Sequence, residues 1–260
     1  MELYSTTAIL LRRISYGDHD LIISYFSPDQ GKISLMAKSA RKSRRRFGGC
    51  LEILSVSRLI CRKGRGKLCL LEESALQQPF SSLRSDIRKL SYASYWAELL
   101  YLWLQENSPQ EELYRLLLFV LESLENGSMP PEILHLLFQM KFMQISGFAP
   151  NLSNCCCCRK PVSESKEMHH AFHLAGGGPL CSSCREKQPG PRIRLSKGSG
   201  RQLLWLGNSP LETAGRLRFS PQSLEESQHF LEAFLPYHLG CTPRSLQFLQ
   251  QLRKEGLPFS

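Results

Sequence analysis

No stretch of this 260-residue sequence approaches ~18 uninterrupted apolar residues, which excludes a membrane-spanning helix. The two richest runs are broken by charge, at Arg115 within 113–121 and at Lys141 within 133–145. The first eleven residues carry neither a basic n-region nor a small-residue cleavage site, so no secretory signal is expected and a cytoplasmic location is. Catalytic signatures are missing as well. The motifs GxxxxGKS/T, GxSxG, HExxH and GxGxxG do not occur, which removes the phosphate-binding loop, the nucleophile elbow, the zinc-protease helix and the dinucleotide turn. The glycine triplet 176–178 lies beside cysteines and reads as a turn. A nuclease needs convergent carboxylates for Mg²⁺, and residues 1–80 hold only seven acids, mostly at turns and strand ends. The expectation is a protein that binds rather than catalyses.

What is present is positive charge, unevenly placed. The chain has 33 Lys+Arg against 23 Asp+Glu, a formal net charge of +10. Residues 1–80 hold 14 of the basic residues and 7 of the acidic ones, so most of the excess lies in the first third. Lys38 to Arg46 (KSARKSRRR) is six basic residues in nine, and Arg62, Lys63, Arg65 and Lys67 form a second cluster. A single charge run is most often a solvated face. Two clusters without compensating acids are the footprint of a polyanion, either nucleic acid or an anionic membrane surface.

Six of the ten cysteines crowd into 30 residues: Cys155, Cys156, Cys157, Cys158, Cys181 and Cys184. In a chain expected to be cytoplasmic, such a cluster reads as a metal site rather than a disulfide framework. Cys155-x2-Cys158 and, 22 residues later, Cys181-x2-Cys184 form two knuckles that complete a four-thiolate shell for one Zn²⁺. A closed shell leaves no position for water, so the zinc is expected to be structural. Spacing alone leaves open whether Cys156 or Cys157 replaces a ligand, and His169, His170 and His173 read as bystanders. Cys50, Cys61, Cys69 and Cys241 read as core filler.

Turn chemistry and periodicity divide the chain. Short strands are expected over 6–12, 21–26, 32–37, 51–60 and 67–72, with a hairpin at Ser27-Pro28-Asp29-Gln30-Gly31 and another at 62–66. Five short strands in under 80 residues suggest a small barrel, with the 38–46 run in a mobile, solvent-facing connection. Apolar residues then recur at three- and four-residue steps from Leu83 to Tyr101. Ser108-Pro109 opens a second helix to Leu124, with Ser108 as its cap, and Pro130-Pro131 a third to about Ile145. Beyond the cysteines, helices are expected after Ser209-Pro210, from Ser220-Pro221 to about Tyr237 and from Thr242-Pro243 to about Lys254, packing on the 81–147 bundle.

Several of these segments carry a family resemblance. Leu11-Arg12-Arg13, Tyr16-Gly17-Asp18-His19-Asp20, Gly31-Lys32 and Ala37-Lys38-Ser39-Ala40-Arg41-Lys42 resemble the opening of the bacterial RecO family of DNA repair proteins. Pro150-x-Leu152-x-x-Cys155-x-x-Cys158 with Gly176-Gly177-Gly178-x-x-Cys181-x-x-Cys184 resembles that family's zinc region. Ser39 stands where the family often has Gly, as does Arg159 after the second cysteine. The resemblance covers the whole chain. It implies an α+β protein with an N-terminal five-stranded OB-like β-barrel (1–80), an α-helical bundle (81–148 and 191–260) and an inserted four-cysteine zinc finger (149–190).

It further implies a non-enzymatic mediator of the RecF pathway. Such a protein binds single- and double-stranded DNA, anneals complementary strands, and with RecR helps load RecA onto SSB-coated DNA, with RecF and RecA as indirect partners and a place at the bacterial nucleoid. The expected DNA-binding set is Arg12, Arg13, Lys32, Lys38, Arg41, Lys42, Arg44, Arg45, Arg46, Arg62, Lys63, Arg65 and Lys67. Tyr4, Tyr16, Tyr25 and Phe47 are candidates for stacking on bases. The alternative is an RNA- or anionic-membrane-binding module with the same barrel and finger.

Overall fold

Alternation of apolar and polar residues closes the N-terminal sheet on itself. The computed structural model describes residues 3–47, 49–63, 68–164 and 167–255, the side chains of Arg44, Arg45 and Glu164 excepted. Strands β1 (Leu3–Tyr16), β2 (Asp20–Ser27) and β3 (Gly31–Ala37) form an antiparallel meander. A one-turn helix α1 (Arg44–Phe47) follows, then β4 (Val56–Arg62) and β5 (Cys69–Gln78). The order β1-β2-β3-β5-β4, with β4 returning to β1 and β3 parallel to β5, is a closed barrel. In β3 every second residue is buried, Gly31, Ile33, Leu35 and Ala37. Ile33, Leu35 and Ala37 meet Ala8, Leu10, Ile23, Tyr25, Leu59, Cys61 and Leu71 in one core, which α1 plugs with Phe47.

Several expectations change here. The basic run is not wholly a loop, because Phe47 must be buried and draws Arg44–Phe47 into a helical turn. The fourth strand begins at Val56 rather than Leu51. Leu54 lies in the left-handed region at φ +72° and ends any extended run before it.

Helices α2 (Ser81–Ser85) and α3 (Ile87–Trp103) replace one expected helix. Asp86 is extended between them, and its carboxylate accepts from the N–H groups of Arg88 and Lys89, restarting the helix. The next helix, α4 (Glu111–Glu125), starts later than Ser108 and has no side-chain cap. Ser108 is taken by tertiary structure: its backbone lies against Gly31, and the Asn107 N–H donates to the Lys32 carbonyl.

Beyond Asn126 the chain enters a second compact unit, 127–242. It holds α5 (Pro131–Ile145), β6 (His169–His173), β7 (Gly178–Leu180), α6 (Ser182–Arg185), β8 (Arg192–Ser196), α7 (Lys197–Asn208) and α8 (Pro221–Leu239). Strands run β7-β6-β8, all antiparallel. Phe172 of β6 packs edge-on against Phe230 and Phe234 of α8. Ser209-Pro210 opens a 3-10 turn, 211–216, in place of the expected helix. The last helix, α9 (Arg244–Lys254), belongs to the first unit, where Glu98 of α3 accepts from the N–H groups of Arg244 and Ser245. The helices expected as one bundle are thus divided between two units. Among the described residues no helix is long and apolar enough to cross a membrane.

Candidate metal centre and nucleic-acid interface

The first knuckle is built by backbone hydrogen bonds that need no metal. Asn151 turns the chain: its side-chain oxygen accepts from the N–H groups of Ser153 and Asn154. The Cys155 N–H donates to the Lys160 carbonyl, and the Arg159 N–H returns to the Cys155 carbonyl at 3.0 Å. Arg159 itself is left-handed, φ +64°. Opposite, Cys181 is the cap residue of α6, and Cys184 lies one turn on. The Cys156 N–H donates to the Pro179 carbonyl and joins the two halves.

This scaffold brings together the thiols of Cys155, Cys158, Cys181 and Cys184, whose sulfurs all lie within 4.8 Å of one another. Cys158 and Cys181 are 3.6 Å apart. Zinc–sulfur bonds of about 2.3 Å in a tetrahedron put sulfurs roughly 3.8 Å apart, so the set fits a closed four-thiolate ion. The cluster could hold a metal ion, and Cys156 and Cys157 are outside it, 3.8 Å from each other. Without a cation the thiols compete. The Ser183 hydroxyl and the Cys184 N–H bring Cys181 down to about 6, while its bond to Cys181 drives Cys184 up to about 12. One thiolate is favoured and its neighbour refuses a second, which is the electrostatic problem a divalent cation resolves.

Among the described residues no histidine joins the cluster. His173 is fixed by its own partners, with Nδ1 accepting from the Gly176 N–H and Nε2 facing the Pro189 carbonyl at 3.0 Å. His169 contacts Arg194. His170 is buried with neither ring nitrogen hydrogen-bonded among the described residues, a feature that periodicity could not reveal because the sheet carrying it was not foreseen.

The basic residues fall into two groups. Some are anchored within the fold. Lys32 donates to the Tyr101 carbonyl, lies 3.8 Å from Glu106, and keeps only 13% of its side chain exposed. Arg62 pairs with Glu72 at 2.5 Å, Arg13 bonds the Leu51 carbonyl and Glu52, and Arg46 donates to the Lys38 carbonyl. Others present charge outward: Lys38, Arg41, Lys42 and Lys63 are exposed, as is Arg12, whose guanidinium stacks on Tyr101 at 4.8 Å. The side chains of Arg44 and Arg45, and Arg65 and Lys67 entirely, lie outside the described residues.

One rim of the barrel carries Lys38, Arg41 and Lys42. The Arg41 N–H donates to the His19 carbonyl and the Ser39 N–H to the Asp20 carboxylate, so the β1–β2 turn and the basic connection are tied together. Of the four aromatic candidates, Tyr25 and Phe47 are core, Tyr4 packs partly against it, and Tyr16 is 54% exposed.

Two family models match the chain, "Recombination protein O N terminal" over residues 1–80 and "Recombination protein O C terminal" over 84–247. It is 42% identical to the DNA repair protein RecO of Desulfatibacillum aliphaticivorans, covering 96% of this chain and 97% of that protein. It is 34% identical to the DNA repair protein RecO of Desulfosudis oleivorans, covering 96% and 98%. The RecO of Syntrophus aciditrophicus is 31% identical over 98% of each.

Proposed function

The chain belongs to the RecO family, and from that premise we propose a non-enzymatic mediator of DNA repair and homologous recombination acting in the RecF pathway. It binds single- and double-stranded DNA, anneals complementary strands and, with RecR and SSB as direct partners, helps load RecA. RecF and RecA are its indirect partners, and the bacterial cytoplasm and nucleoid its place of action. The domain order we adopt is barrel 1–80, helices 81–148, finger 149–190 and helices 191–260.

The observation that carries this reading is the basic rim. Lys38, Arg41 and Lys42 are exposed on a connection pinned to the β1–β2 turn of a closed five-stranded barrel, with Arg12 and Arg13 on the adjoining strand. Such a surface meets phosphates without reading bases. Neutralising two backbones on one surface removes the repulsion between complementary strands, and pairing then proceeds unaided. Cys155, Cys158, Cys181 and Cys184 would hold one Zn²⁺, which supplies folding energy to the finger and no reaction chemistry.

The test is a fluorescence annealing assay with two complementary labelled strands, bare and SSB-coated. Acceleration of pairing in both states is expected, without nucleotide hydrolysis. No acceleration, or acceleration by an equally basic control protein to the same extent, would remove the annealing role.

A further inference from the structure

The finger-bearing unit holds a cavity that neither the thiol cluster nor the barrel uses. It encloses about 390 Å³, within the range of small-ligand sites. Buried Phe172 of β6 and Leu195 of β8 line it, with Gly200, half-buried Lys197 and exposed Arg201 of α7. His170 lines it too. That imidazole is only 5% exposed, neither ring nitrogen has a hydrogen-bond partner among the described residues, and Glu167 is 4.0 Å away. A buried polar group left unpaired is costly, and native proteins rarely keep one without a use.

The surroundings select the chemistry of the occupant. Lys197 and Arg201 are the charged residues lining this cavity, with no carboxylate among its described lining residues, and Arg192 and Arg194 are exposed on the opposite face of β8. The occupant should therefore carry negative charge outside, flat apolar faces against Phe172 and Leu195, and an edge with a donor or acceptor for His170. A plain aromatic side chain leaves the imidazole unpaired. A buried carboxylate requires it to be protonated, which burial and then Lys197 oppose.

We propose that this cavity receives one unstacked nucleobase, with its edge on His170 and its phosphate on Arg201 and Lys197. The base comes either from a single strand, an arm that rests on the DNA-binding reading above, or from a free mononucleotide. It is a base subsite separate from the rim of the barrel, and it would let the finger-bearing unit hold an unpaired base while the barrel holds backbone.

The experiment uses the full-length, zinc-loaded chain and a single strand carrying one 2-aminopurine, whose emission rises when the base leaves its stack. Two variants probe the cavity. In Gly200→Leu, a Cβ meets only Leu195, at 3.8 Å, so the helix tolerates it and the rest of the side chain fills the space. His170→Phe keeps a ring and removes the unpartnered nitrogens, so its melting temperature should equal or exceed the parent's.

The expected result is an emission rise in the parent that is lost in both variants, with strand affinity falling about fivefold or more, the scale of one lost base stack. Competition by millimolar deoxyadenosine monophosphate would assign the cavity to free mononucleotide as well. An undiminished emission rise in Gly200→Leu overturns the proposal, as does an acidic peptide, rather than strand or mononucleotide, responding to that variant. If the parent binds no strand, the DNA reading fails on its own. The cavity is then judged by the thermal shift with deoxyadenosine monophosphate: a shift abolished by Gly200→Leu supports the base subsite, and no shift in the parent overturns it.

Discussion

Ser39 and Arg159 both occupy left-handed backbone, at φ +54° and +64°. A Cβ there crowds the following carbonyl at a cost on the order of 1 kcal/mol. Each is held by a bond that over-determines it, the Ser39 N–H to the Asp20 carboxylate at 2.7 Å and the Arg159 N–H to the Cys155 carbonyl at 3.0 Å. These are positions where the resemblance implies a glycine, and the left-handed backbone is one that suits glycine. Ser39→Gly relieves the crowding but frees the unfolded chain by about 0.5–1 kcal/mol, so its net effect should stay within about 1 kcal/mol. Ser39→Val, branched at Cβ, should cost clearly more than about 1 kcal/mol. Urea midpoints measure both, and a valine variant as stable as the glycine one would remove the backbone argument. From sequence alone these residues stood out by identity, whereas their φ angles depend on contacts with the β1–β2 turn and the first knuckle that no local pattern encodes.

At the scale of elements, what was legible followed local periodicity. The third strand alternates strictly, the Pro130-Pro131 helix begins at Pro131, and the two CxxC knuckles form one cluster. What was missed depends on tertiary partners. Helix α7 contains Gly198 and Gly200 and looks a poor helix, yet Ser196 accepts from the Ser199 N–H and Glu226 of α8 accepts from Ser196 and Ser199. Strand β6 is mostly histidine, and only Phe172 stacking on α8 gives it an inward face.

Burial raises the Glu226 carboxyl, but the Ser199 and Ser196 hydroxyls and the Ser196 N–H outweigh it and hold the group below its ordinary value. A depressed carboxyl contributes stability above its unfolded pKa and loses it as pH falls through the folded one. The second unit should therefore weaken below about pH 4.3, the ordinary glutamate value, and Glu226→Gln should be less stable at neutral pH and lose that acid dependence. Equal acid sensitivity in parent and variant would assign the effect elsewhere.

The knuckles make a stronger demand. Structural zinc supplies on the order of 10 kcal/mol to small modules. Cys181→Ser should lower zinc content and melt the finger, while the barrel, which shares none of these ligands, keeps its own transition in calorimetry. Full zinc occupancy in that variant, or loss in Cys156→Ser but not in Cys155→Ser, would mean a different ligand set.

Across the whole molecule the question is how much of the charge in the sequence is available to a polyanion. Composition counts every basic residue alike, whereas the fold spends several internally: Lys32 on Tyr101 and Glu106, Arg62 on Glu72, and Arg13 on Leu51 and Glu52. Lys38, Arg41, Lys42 and Lys63 remain exposed. If four to six phosphates are met in all, log K for a single strand should fall with log salt at a slope of roughly −3 to −4, about −0.7 per phosphate. Replacing Arg41 and Lys42 by Ala should flatten that slope by about 1.4, because neither head group is tied to a carboxylate among the described residues. The loss should also be uniform across strand sequences, since phosphate contacts carry no base code. Removing Lys32 should instead lower stability, with little change in slope, because its ammonium is already committed to the Tyr101 carbonyl at 3.1 Å. Titrations of a labelled strand at several salt concentrations separate these cases. An unchanged slope in the Arg41→Ala/Lys42→Ala variant would move the principal phosphate contacts to Arg192, Arg194, Lys197 and Arg201 in the second unit, where Arg192→Ala/Arg194→Ala would then have to produce the missing flattening.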